Sequence, residues 1–292
     1  MMGVGGRGPM AAAIAVFYIF LWASAYVPSK IASIESPPLW FLVARFGVAG
    51  IVLGVVALGL HKPAPGSPRA WLVACVLGIL ANALYLGLTY TAMHRLSAGM
   101  AAIVASTNPL VLGLLAPRLL GERMTWLKAA GLVLGFGGVA GIVLARAGLP
   151  SALPFDAGLA FCGVLSSVAS TLLFKRWGTQ QSLVAINAIQ LLAAAVVLIP
   201  VAVVVSGAPH LTLTPELVAS FVYLVLVLSV GASLIWFWLL RHGEASRVSA
   251  YYYLTPIFGL ALSALMLHEP VGLRDLFGLA AIAGGIALVQ RS

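Results

Sequence analysis

No aspartate or glutamate falls in the middle of any of the chain's long apolar runs. A buried carboxylate is the usual relay for a proton or sodium ion inside a membrane. Its absence argues against carboxylate-based coupling and leaves neutral side chains to do the chemistry. In the run 70–92, Gly78, Asn82, Tyr85 and Thr89 follow i, i+4, i+7, i+11 spacing, which places them on one face of an α-helix. Ser229, Ser233 and Trp236 do the same in the run 216–240, and Trp22, Tyr26 and Ser29 in the run 11–30, with Ser24 nearby. Tyr251, Tyr252 and Tyr253 stand in succession just before Thr255-Pro256. Amide and hydroxyl groups beside aromatic rings suit a small neutral or zwitterionic ligand. The rings take a flat apolar side chain or, by cation–π attraction, an ammonium. The competing reading is packing, because small and polar residues also hold membrane helices together. Three consecutive tyrosines about 100° apart cannot all line one cavity.

Three prolines bear on the backbone. Each removes a hydrogen bond and frees the carbonyl four residues earlier. Pro28 frees that of Ser24, Pro109 that of Ala105 and Pro256 that of Tyr252. Such a site can be a hinge or a static kink stabilised by its neighbours. The acids sit at the ends of runs. Glu35, Asp156 and Glu216 fall near one set of loops, Glu122 and Glu244 near the other, and Glu269 and Asp275 at the last turn. Glu122 and Glu269 are expected to favour the N-terminus of the following helix and to pair with Arg118, Arg123 or Arg274. Arg45 lies within a run, where snorkelling to the outer surface competes with anion binding. There is no HExxH zinc site, no paired membrane aspartates and no Asp-rich prenyltransferase motif, so no enzyme, metal or cofactor is expected.

The elements that must position these residues are membrane helices. Of 292 residues, 62% are hydrophobic and 8% charged, too little polar surface for a water-soluble exterior. A span needs about 20 apolar residues. The runs predict helices at 11–30, 39–60, 70–92, 96–119, 126–146, 156–176, 182–206, 216–240, 245–267 and 272–290. No convincing small-x-small cleavage site ends an isolated short core in the first run, which holds Trp22, Tyr26 and Pro28 instead, so it reads as a helix rather than a leader. Cys75 and Cys162 fall in separate runs and read as buried thiols. The net charge of +9 is spread over helix ends with no basic stripe, so it signals topology and not nucleic acid. With the N-terminus inside, eleven Lys and Arg fall on inner segments and four on outer ones, which predicts both termini cytoplasmic.

A repeat is visible at a shift of 147 residues. Asn108-Pro109 lands on Thr255-Pro256, Gly121-Glu122 on His268-Glu269, Gly131-Leu132 on Gly278-Leu279 and Gly137-Gly138 on Gly284-Gly285. Nine of the 33 positions of 108–140 are identical in 255–287. Five helices per copy is an odd number, so the second copy enters the membrane from the opposite side. Inverted repeats allow two halves to rock about a midplane site.

These residues resemble the drug/metabolite transporter superfamily, specifically its ten-helix EamA-type exporters. The carrying pattern is Pro109, Gly121-Glu122, Gly131 and Gly138, repeated as Pro256, His268-Glu269, Gly278 and Gly285. Within the family the chain looks most like the YddG-type exporters of aromatic and other amino acids. The resemblance implies a cavity lined by helices 1–4 and 6–9, with helices 5 and 10 at the periphery. The expectation is an all-α integral membrane protein of ten transmembrane helices in two inverted five-helix repeats, 1–148 and 149–292. It is expected to be a monomer of the bacterial inner membrane. Its expected work is export of amino acids and related small metabolites by alternating access. Expected substrate contacts are Trp22, Tyr26, Asn82, Tyr85, Thr89, Trp236, Tyr251, Tyr252 and Tyr253, with hinges at Pro28, Pro109 and Pro256. The alternatives are an exporter of small cationic drugs and a non-transporting, lipid-handling membrane protein.

Overall fold

Proline and capping side chains set where the helices begin. The helices Pro38–Gly59, Pro68–Gly78, Asn108–Leu120 and Pro215–Tyr223 each carry a proline in the first positions, where its missing N–H costs nothing. Ser67, Ser182 and Thr214 accept from the backbone N–H of Ala70, Ala185 and Leu217, satisfying donors that a helix start leaves free. Gly121 ends its helix at φ 70°, a conformation that costs glycine little.

The structure, a computed structural model, describes residues 9–93, 104–147, 154–209, 213–255, 257–258 and 272–292. Among the described residues every regular element is helical. Six helical spans are long and apolar enough to cross a membrane: Pro9–Ser29, Pro38–Gly59, Pro68–Ala92, Phe155–Gly178, Leu183–Ser206 and Pro215–His242. Shorter apolar helices cover Asn108–Leu120 and Trp126–Ile142, and Leu273–Arg291 closes the chain. The expected fourth and ninth helices lie partly outside the described residues.

Six of the expected helices are not continuous α-helix, the ninth among them, since Ala245–Ala250 passes into the 3-10 segment Tyr251–Leu254. The first turns at Ala25 between Pro9–Ser24 and Tyr26–Glu35. The third contains a π-helical segment, Ile79–Leu84, and the eighth another, Leu224–Ala232. The sixth ends in a π segment, Phe174–Gly178. In the fourth the helix halts at Ser106-Thr107, where the Thr107 N–H and hydroxyl both donate to the Val104 carbonyl. Residues 79–84 shifted by 147 fall inside Leu224–Ala232. The Ser106-Thr107 turn likewise falls inside the 3-10 segment Tyr251–Leu254. The repeat therefore extends from the sequence to where the helices depart from α geometry.

The described chain forms two compact units. The first comprises Met1–Ala23, Ala92–Val168 and His242–Ser292; the second comprises Ser24–Thr91 and Ala169–Arg241. Each unit draws on both halves of the sequence. Shifted by 147 residues, 24–91 falls on 171–238, inside the second unit's other segment.

In the first unit, helix Trp126–Ala147 packs along helix Leu273–Arg291. Glycines let their backbones touch: a Cβ on Gly131 would lie 2.6 Å from the Gly285 carbonyl oxygen, and one on Gly138 2.8 Å from that of Gly278. Leu132, Val139, Ile142, Tyr253, Ile282 and Val289 fill the core beside them. In the second unit, helices Pro38–Gly59 and Leu183–Ser206 lie side by side around Leu42, Phe46, Leu53, Leu191 and Leu198. Gly78 meets the backbone of Gln190, where a Cβ would come within 2.0 Å of its carbonyl oxygen. Of the two cysteines, Cys75 is half-buried and Cys162 exposed, so neither is the fully buried thiol expected.

Candidate functional site

The candidate residues divide between the units. The first holds Trp22, Tyr251, Tyr252 and Tyr253; the second holds Tyr26, Asn82, Tyr85, Thr89 and Trp236.

In the first unit, Tyr18, Trp22 and Tyr252 form one aromatic cluster. The Tyr18 and Tyr252 hydroxyls are 2.7 Å apart. The Tyr18 and Trp22 rings stack at 6.3 Å, and Tyr252 meets each of them edge-on at 6.0 Å. Trp22 and Tyr252 remain half-buried, so their rings keep surface for a ligand. Tyr18 was not foreseen, although it stands one helical turn before Trp22 and that spacing was legible. Tyr253 is wholly buried. Its hydroxyl donates to the Leu132 carbonyl at 2.9 Å, and its ring packs on Gly135. Tyr251 is half-buried against the same core. The three tyrosines occupy a 3-10 turn, so they diverge by about 120° rather than 100°.

In the second unit, Asn82, Tyr85, Thr89 and Trp236 are all half-buried. Asn82 lies within the π segment Ile79–Leu84 and Tyr85 directly follows it. The i→i+5 bonding of that segment adds a residue to the turn. The α-helical spacing used to put Gly78, Asn82, Tyr85 and Thr89 on one face therefore does not carry across it. Such bulges are frequent at functional sites. Tyr26 lies in helix Tyr26–Glu35; its side chain is outside the described set.

Arg45 departs most from expectation. It does not snorkel: it is 6% exposed, and its Nε donates to Ser229 Oγ at 2.9 Å. The Tyr90 hydroxyl lies beside the guanidinium. Asn187 extends the polar group, its Nδ2 donating to Ser233 Oγ at 2.6 Å and to the Ser229 carbonyl at 3.4 Å. Asn187 was not singled out from sequence. Yet Asn187 and Gln190 are the only polar residues between Leu183 and Pro200, a signal that was available. An arginine at the centre of a membrane helix costs about 2.5–3.5 kcal/mol on insertion scales, so one kept there is a candidate for function.

The prolines occupy distinct settings. Pro28 lies in the first turn after the Ala25 break. The Ser24 hydroxyl, beside the carbonyl that Pro28 frees, bonds the Tyr223 hydroxyl at 2.5 Å. Pro109 is buried at the start of helix Asn108–Leu120, so it opens a new helix rather than kinking a continuous one. Pro256 lies outside the described residues.

The acids at the helix ends are structural in their contacts. Glu122 was expected to serve the helix that follows it. Instead its carboxylate accepts from the Ala245 N–H at 2.6 Å, from the Ser246 N–H at 3.3 Å and from the Ser246 hydroxyl. It thus caps helix Ala245–Ala250 of the other half. Its basic neighbour is Lys128, at 3.7 Å, and not Arg118 or Arg123 as expected. Lys128 is 1% exposed and also pairs with Glu244 at 2.8 Å, which in turn meets Arg247 at 3.1 Å. Burial acts to raise the Glu244 carboxyl, but Lys128 and Arg247 outweigh it and hold the group below its ordinary value. Glu269 is outside the described residues. Asp275 accepts from the Gly272 N–H at 2.9 Å. Among the described residues no His, Cys, Asp and Glu cluster could hold a metal ion.

The EamA-like transporter family matches residues 9–144 and again 156–291. The chain belongs to the EamA-like transporter family. The uncharacterized transporter YvbV of Bacillus subtilis is 31% identical, over 96% of this chain and 91% of its own length. The uncharacterized inner membrane transporter YedA of Escherichia coli is 30% identical, over 96% and 90%. Protein PecM of Dickeya dadantii is 29% identical, over 92% and 89%. A solved crystal structure shares the fold at TM-score 0.78, covering 96% of each chain at 21% identity. This EamA-like chain is therefore a multi-pass membrane protein and a transporter of the drug/metabolite superfamily.

Proposed function

We propose that this EamA-like transporter exports amino acids, aromatic ones first, and related small metabolites from the bacterial cytoplasm. It works by alternating access around a cavity near mid-membrane, as a YddG-type exporter does. Both termini face the cytoplasm, as the positive residues at the inner ends suggest. Single copies suffice for transport. The supporting observation is the repeat carried into three dimensions. Each compact unit takes matching segments from both halves, and the helices lose α geometry at matching places. Segments that leave α geometry in both copies are natural places for the two halves to bend. Pro28, Pro109 and Pro256 stand close to such breaks and serve as hinges. Trp22, Tyr251 and Tyr252 supply aromatic surface; Asn82, Tyr85, Thr89 and Trp236 supply hydrogen bonds and a further ring.

Uptake of labelled amino acids by proteoliposomes tests this reading. Flux should persist without an imposed pH or sodium gradient; strict dependence on either would place a coupling carboxylate at Glu244 or Glu35. Asn82→Ala and Tyr85→Ala should each lower flux about tenfold while the protein stays monodisperse, the result of leaving a substrate group unpaired. The Tyr18–Trp22–Tyr252 cluster also favours a second reading, an exporter of small organic cations held by cation–π contact. Transport of tetraphenylphosphonium but of no amino acid would select it.

A further inference from the structure

We infer that Arg45 and Ser229 form an anion-recognition subsite that takes the carboxylate of a small organic acid. The inference deepens the proposed transport reading and rests on it for the identity of the cargo.

Arg45 stands in the interior of an apolar helix, Pro38–Gly59, seven residues from its start and fourteen from its end. It is buried and positively charged. Among the described residues no carboxylate lies within ion-pair distance of it, and its hydrogen bond is to the neutral Ser229 hydroxyl. Guanidinium has five N–H donors and no acceptor, so one bond to a serine uses a small part of its capacity. Its planar fork matches a carboxylate in bidentate fashion. The Tyr90 side chain, 7% exposed, brings its hydroxyl up to the guanidinium, and among the described residues that hydroxyl meets no acceptor for its own proton. A cation and a phenol facing each other are two donors awaiting an acceptor with negative charge.

The repeat sharpens the case. At the 147-residue shift, Arg45 corresponds to Leu192, Tyr90 to Phe237 and Ser229 to Asn82. The charge and the phenol occur in one half only. A structural need imposed by the repeated fold would be met in both halves; an asymmetric ligand with one anionic end needs its counter-group once. A bare ion pair within the protein would also satisfy an arginine, yet none of the described acids pairs with it, and four of them are engaged elsewhere. Glu35 accepts from Thr214, Glu122 caps Ala245, Glu244 pairs with Lys128, and Asp275 caps Gly272.

The test uses the full chain, purified in detergent, with thermal stabilisation and tryptophan fluorescence as readouts. The probes are L-phenylalanine, 3-phenylpropionate and acetate, which carry a carboxylate, and 2-phenylethylamine, which does not. Phenylalanine or phenylpropionate should stabilise the wild type and phenylethylamine should not. Arg45→Gln should weaken the carboxylates at least tenfold, and Ser229→Ala by about threefold. Arg45→Lys should retain part of the binding, since it keeps the charge and loses the fork. If Arg45→Gln fails to fold, Arg45→Lys and Ser229→Ala are read against the same probes. Binding of phenylethylamine as tight as that of the acids overturns the inference. So does unchanged carboxylate binding in the variants, the absence of any carboxylate binding to the wild type, or equal stabilisation by sodium chloride. If phenylpropionate binds through Arg45 while phenylalanine neither binds nor moves, the subsite stands and the amino-acid reading falls.

Discussion

Two sets of buried charges, one in each compact unit, are held in opposite ways. In the first, Glu122, Lys128, Glu244 and Arg247 gather at helix ends, and each has a partner of opposite sign. Lys128 is as deeply enclosed as any core leucine, yet it meets two carboxylates and the Arg123 carbonyl. In the second, Arg45 lies in the interior of a helix with a serine hydroxyl as its hydrogen-bond partner. Paired charges at helix ends join segments distant in sequence; Glu122 holds the start of helix Ala245–Ala250, more than a hundred residues away. An unpaired cation joins little and costs its desolvation. The first arrangement reads as architecture, the second as a group held for something outside the protein.

That contrast is open to measurement. The largest effect is expected from Lys128→Met. It removes the shared cation and leaves Glu122 and Glu244 close together, so the folded state should lose about 3 kcal/mol, the scale for breaking a buried pair. A fall in melting temperature, with a loss of monodispersity on mild heating, would show it. Arg45→Leu should behave differently. Replacing an unpaired buried charge by an apolar side chain should leave thermal stability unchanged or raise it by about 1 kcal/mol, while carboxylate binding disappears. If Arg45→Leu destabilises the protein as much as Lys128→Met does, the two regions are alike and Arg45 is structural.

A smaller effect is expected from acid. The folded Glu244 carboxyl lies below its ordinary value. Its pairing therefore contributes stability that is complete above the unfolded value, about 4.3, and is lost as pH falls through the lower folded value. Glu244 is a third exposed, so the contribution is under about 1 kcal/mol. Melting curves from pH 6 down to 3 should show that part of the acid loss missing in Glu244→Gln. The smallest effect belongs to Leu134→Ala. Leu134 lines an outward apolar groove with Val133, Phe277 and Ala281 on helices Trp126–Ala147 and Leu273–Arg291. Flux within about twofold of wild type is expected, and a larger fall would bring that helix pair into the transport path.

The sequence by itself determined where the chain is helical. Expected spans at 39–60, 70–92, 126–146, 156–176, 182–206, 216–240 and 272–290 lie within two residues of the helices found. Apolar length and terminal proline or serine are local signals, and a membrane helix must satisfy its backbone within its own segment. The repeat was also legible, because it is written in glycines, prolines and glutamates at one fixed offset. Tertiary structure decided the rest. Nothing local says whether Arg45 reaches the surface or Ser229, because that depends on helices 184 residues apart meeting. The partner of Glu122 lies 123 residues away, and proximity in sequence pointed instead to Arg118 and Arg123. The π segments broke the α spacing that set Asn82 and Tyr85 on one face. Each unit draws on both halves, since a helix chooses its neighbour by complementary packing, and that surface exists only once the chain is folded.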